Sequence, residues 1–129
     1  MGLKGRPDAT PPRHFRELLV ESIPTAQAAA RAPRGAVRTA LPAAAESLHG
    51  GNQAGIALYH VSGKLVCGIE PAGSATLLHI HGVGQADAPA GVKLGGRGTE
   101  KRHIRFTSVT EVREHADVIR TLLLIAARR

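Results

Sequence analysis

Residues 75–81 read ATLLHIH, with His79 and His81 at alternate positions of an apolar run. On a strand, side chains two apart leave from the same face, roughly 6.5–7 Å apart at Cα. Two imidazoles at that spacing can share one metal ion, and neutral imidazole suits zinc, iron, copper or nickel. Leu78 and Ile80 then point to the other face, toward whatever covers the sheet. A metal site needs a third ligand, and His60, Glu70 and His103 are the candidates, with His60 the first choice. The competing expectation, favoured because two donors make a weak motif, is a solvated pair on an open sheet face.

A second candidate is KLGGRGTEK, residues 93–101. A glycine-rich turn can cradle an anion with backbone N–H groups, here helped by Arg97 and Lys101. The stretch lacks the G-x-x-x-x-G-K-[ST] spacing and leads into a β-like run rather than a helix, so an ordinary loop is the competing reading. Cys67 lies among Val66, Gly68 and Ile69, the setting of an inert packing residue. No Ser-His-Asp arrangement, no cleft-like carboxylate pair and no dinucleotide fingerprint occurs, so the sequence predicts no enzyme and no resident cofactor, with iron or zinc the alternative.

These residues are positioned by elements of two kinds. Residues 1–13, with three prolines, two glycines and four charges, read as a disordered arm. HFRELLVESI (14–23) has Phe15, Leu18, Leu19 and Ile23 at helical spacing and ends at Pro24. The alanine-rich stretch that follows reads as two helical pieces, about 25–32 and 34–48, broken at Pro33 and stopped by Gly50 and Gly51. Then the period changes. IALYHV (56–61) and KLVCGIE (64–70) are β-like, with Ser62-Gly63 a two-residue hairpin turn between them. ATLLHIH is a third strand, 82–101 a long loop, and RHIRFTSV (102–109) a fourth strand. Thr110 is read as the cap of a last helix running to about 127, its apolar face built from Val112, Val118, Ile119, Leu122, Leu123, Ile125 and Ala126.

Three stretches resemble a known bacterial family: ESLHGGN (46–52), VSGKLVCGIE (61–70) and, most specifically, AGVKLGGRGTEKRHIRFTSVTEV (90–112). Together they resemble the YdhG-like domains, over about residues 40–125. The resemblance implies a frataxin-like fold, and it carries the association of that family with iron chaperoning. An iron-holding surface of that kind favours a ridge of carboxylates. In the N-terminal half, Asp8, Glu17, Glu21 and Glu46 are instead interleaved with Arg13, Arg16, Arg31, Arg34 and Arg38.

The predicted fold is therefore α+β: a two-layer sandwich, an antiparallel sheet of four or five strands covered on one face by N- and C-terminal helices. The expected division is an arm (1–13), a helical extension (14–33) and a YdhG-like domain (34–129). The chain has 129 residues, 43% of them hydrophobic, but only two Phe, one Tyr and no Trp. That is enough for one domain with a modest core. A lone cysteine, no apolar run of about 18 residues and no signal-like N-terminus predict a cytoplasmic protein without a membrane partner. The expected function is a small non-enzymatic protein that binds a metal, a small ligand or another protein. The net charge of +7 makes a nucleic-acid- or anion-binding module the alternative.

Overall fold

The computed structural model describes residues 14, 15, 17, 24–50, 55–98 and 100–129. The expected arm (1–13) and most of the expected first helix (14–23) lie outside the described residues. The first helix, α1, is Pro24–Ala40. Pro24 opens this helix where a stop was expected: at a first helical position the missing N–H bonds nothing in any case. Pro33 does not break it either. An internal proline withholds a hydrogen bond from the carbonyl four residues back, here Ala29, at a cost of about 3 kcal/mol. The burial of Ala29, Ala30, Val37 and Leu41 along one face offsets that cost. The helix therefore runs straight across the expected 33/34 boundary and is part of the sandwich.

Pro42 ends α1, and the segment expected to continue it is a strand. The piece read as helix 34–48 is corrected to helix up to Ala40, a turn, and β1 (Ala45–His49). Alanine propensity favoured helix there. What wins is the partner strand, which places Glu46 opposite Tyr59 and Leu48 opposite Ala57. The remaining strands are β2 (Ile56–Val61), β3 (Lys64–Ala72), β4 (Ala75–His81) and β5 (Lys101–Phe106), in the order β1-β2-β3-β4-β5. Every neighbouring pair is antiparallel. Ser62 (φ 51°) and Gly63 (φ 80°) make the β2–β3 turn. Two positive φ values in succession are what a type I′ hairpin needs. A register shift between Tyr59 and His60 marks a bulge.

The last helix is two. Ser108, rather than Thr110, caps α2 (Val109–Glu114), its side chain accepting from the Glu111 N–H. The chain leaves helical geometry at His115 (φ −104°, ψ 13°), and α3 (Ala116–Arg128) follows. That break lets Val112 and the Ile119, Leu122, Leu123, Ala126 stripe both reach the core. The sheet contributes Ala57, Tyr59, Cys67, Ile69, Leu78, Ile80 and Phe106 from its covered face. The result is the two-layer α+β sandwich, with five strands and one face covered by helices. No helix among the described residues is long and apolar enough to cross a membrane.

Candidate functional site

His79 and His81 leave β4 on the face opposite Leu78 and Ile80, as strand alternation requires. Register brings His103 and Lys101 of β5 beside them: His79 is opposite His103, and His81 opposite Lys101. Glu70 of β3 reaches diagonally, and its Oε1 lies 2.9 Å from His79 Nε2. A carboxylate only accepts, so Nε2 carries the proton of that bond. The His79 and His103 rings meet edge to face at 5.7 Å. His60 is not part of this group. It lies on β2, paired with Leu65, with β3 between it and β4, a lateral separation of about 9.5 Å.

This geometry does not fit an ion. No three His, Cys, Asp or Glu side chains among the described residues are placed to hold one. Glu70 is engaged by His79, and the His103 ring lies on Gly95, where an added Cβ would collide with it. Nor is the pair simply solvated. The His79 side chain is 11% exposed, and its Nδ1 is buried without a partner. Burial first, and then the Lys101 charge and His79, hold His81 below the ordinary imidazole range. Burial likewise lowers His103, with His79 and Lys101 adding to the effect. Both rings are neutral at pH 7. The group is a half-buried polar cluster at one end of the uncovered face.

The glycine-rich loop has the wrong polarity for an anion cradle. Arg102 Nε donates to the Gly98 carbonyl and its Nη1 to that of Gly96, both at 2.9 Å. The loop thus wraps acceptors around a cation. Gly95 uses its N–H and its C=O on His103, pairing with the outer edge of β5. Arg97 and Lys101 remain exposed.

A better-formed site lies where sequence reasoning did not look. Arg31, Arg34 and Arg38 fall at i, i+3 and i+7 of α1, one stripe of a helix. They line a cavity of about 520 Å³ together with His14, Phe15, Gly35 and Glu46. Edge strand β1 carries Glu46 into it. Arg34 Nε and Nη2 donate to the two Glu46 oxygens, each at 2.8 Å. The Tyr59 hydroxyl donates to Oε2 at 2.6 Å. Arg38 stands 3.6 Å from Oε1. The Arg34 guanidinium sits 4.7 Å above the centre of the Phe15 ring, a cation–π contact that holds it flat. The Arg34 hydrogen bond, more than any other influence, holds the Glu46 carboxyl below its usual range. Burial, reinforced by the bond to Glu46, pushes the Tyr59 phenol up.

No family model, curated protein or solved structure matches this chain. The arrangement must therefore be read from its own chemistry. Arg31 has no hydrogen-bond or ion-pair partner among the described residues. Among the described lining residues three guanidiniums meet one carboxylate, a surplus of two positive charges. The arginine stripe was visible in the sequence. Its meaning was not, because the segment holding Glu46 read as more helix.

Proposed function

We propose that this protein is a non-enzymatic binding module whose ligand is a small anion, taken up in the arginine-lined cavity between α1 and β1. The observation that carries this reading is the charge in a concave site that the described residues leave uncompensated: Arg31 has no partner among them and Arg38 only grazes Glu46. Cavities of roughly 300–1,000 Å³ suit small ligands, and this one lies in that range. The YdhG-like resemblance stands beside this as a proposal about family. The iron association that comes with it finds no donor set in the histidine cluster, so we assign the protein an anion rather than a metal. A polyanion reading has only the net charge behind it. Basic residues are spread over α1, β5 and α3 instead of forming one face, and a cavity of this size accepts a small molecule rather than a duplex.

Thermal unfolding tests the proposal, since a ligand that binds only the folded state raises the midpoint in a concentration-dependent way. At least one of phosphate, sulfate and acetate, varied at constant ionic strength, should raise it for the parent protein. The Arg31→Ala/Arg38→Ala variant should show no rise. No response of the parent to any of the three would refute an anion site here.

A further inference from the structure

The cavity's three arginines are not equivalent, and the difference points to what the ligand is. Carboxylates are best held by the planar fork of one arginine, two parallel N–H···O bonds at once. Arg34 is the arginine posed for that, resting on Phe15, and its fork is already full. Its occupant, Glu46, is covalently part of β1 and is held a second time by Tyr59. A tethered carboxylate with two partners outcompetes a free one of the same chemistry, because its loss of freedom was met in folding. Free monocarboxylates therefore face a fork that is closed to them.

Arg31 and Arg38 are what remains. Arg31 has no partner among the described residues, and the Arg38 side chain is 58% exposed. They stand seven residues apart, two helical turns or about 10.5 Å along the axis. They flank Arg34 from opposite ends, so one bound group must answer two cations arriving from different directions. An acetate-like ion has one charge and two oxygens in one plane. A phosphate monoester has about 1.5–2 negative charges at pH 7 and three oxygens in a tetrahedral spread. Only the second matches a surplus of two charges presented from two sides.

Size narrows the class further. The cavity, about 520 Å³, is many times the roughly 30 Å³ that one water occupies in the liquid. A bare phosphate would leave most of it unfilled. At Gly35, between the arginines, an added Cβ would meet nothing within 4 Å. This is an open stretch of wall, with room for an organic group beside the anion.

We propose that the cavity selects phosphorylated small molecules, the phosphoryl group held between Arg31 and Arg38, with Glu46 occupying Arg34 and so turning monocarboxylates away. This rests on the anion-binding reading of the same site and adds the ligand class and the residue that sets it.

Calorimetric titration of the full chain at pH 7.5 and low salt, with inorganic phosphate, pyrophosphate and acetate as probes, separates the two claims. Phosphate and pyrophosphate should bind at least tenfold more tightly than acetate. Arg31→Ala and Arg38→Ala should each weaken phosphate at least fivefold. Both side chains reach solvent, so these variants retain the fold, which a circular dichroism spectrum checks. In Glu46→Gln the Arg34 fork is released, and acetate should then bind within threefold of phosphate. Equal binding of acetate and phosphate by the parent overturns the phosphoryl preference and leaves the anion site standing. Binding of none of the three overturns both. Phosphate binding that ignores both arginine variants overturns the location. An unchanged preference in Glu46→Gln removes Glu46 from the role given to it here.

Discussion

Replacing Glu46 with Ala should destabilise the protein mainly through Tyr59. The glutamate accepts from Tyr59 at 2.6 Å and from Arg34 at 2.8 Å twice. Tyr59 is 1% exposed, so without Glu46 its hydroxyl loses its carboxylate partner at a buried position. A buried donor left unpaired costs about 1–3 kcal/mol. The Arg34 side chain is 33% exposed and can rehydrate, so its share is no more than about 1 kcal/mol. The expected loss for Glu46→Ala is thus about 1–4 kcal/mol. Tyr59→Phe removes donor and hydroxyl together while Arg34 still pairs both carboxylate oxygens, and should cost only about 1 kcal/mol. The double variant has no orphaned hydroxyl. It should be more stable than the sum of the singles predicts, by about 1–2 kcal/mol. Urea unfolding at pH 7 measures all four proteins. The sign with pH follows from the depressed Glu46 carboxyl: its contribution is fully present above the unfolded-state value near 4.5 and disappears as pH falls through the lower folded-state value. Glu46→Gln should therefore flatten the acid limb of the stability curve. Strict additivity in the double variant, or a Glu46→Ala loss below about 0.5 kcal/mol, would refute this account of the network.

Gly95→Ala should cost about 1–3 kcal/mol, because the new Cβ collides with the His103 ring; adding His103→Ala should recover most of the loss in the same unfolding assay. Lys64→Met should cost about 1 kcal/mol, since Lys64 Nζ donates to the carbonyls of Ala126 and Ala127 at the end of α3, where a cation complements the helix dipole. Zinc titration monitored by calorimetry should show no stoichiometric site; one equivalent bound by the parent and lost in His79→Ala/His81→Ala would restore the metal reading.

The strands β2, β3 and β4 were legible because each is a short apolar run, and Ser62-Gly63 is a turn whose chemistry can be read directly. The second layer was legible through the apolar stripe of α3. β1 was not. Its sequence, AESLH, has no strand signature of its own and follows an alanine-rich stretch, so local propensity and tertiary pairing disagreed and pairing won. That one misreading hid the arginine cavity. In a helix through residue 48, Glu46 would lie twelve residues from Arg34, more than three turns away. Only when the chain turns at Pro42 and comes back as β1 do the two side chains meet. The histidine pair was legible as to face, but its burial was not, because that depends on Glu70 and His103 arriving from neighbouring strands.

The meander has a consequence for how the chain finds its structure. Each strand pairs with the next in sequence, and the connections β2–β3 and β3–β4 are two residues each, so these hairpins close at small entropic cost. The helical layer is different. α1 ends at Ala40 and α3 starts at Ala116, yet the two meet over the same sheet. That contact joins distant parts of the chain and has no cheap local route. Amides of β3, flanked on both sides by short-range partners, should therefore gain protection from solvent exchange early in refolding, and those of the helices that form the seam between α1 and α3 should gain it later.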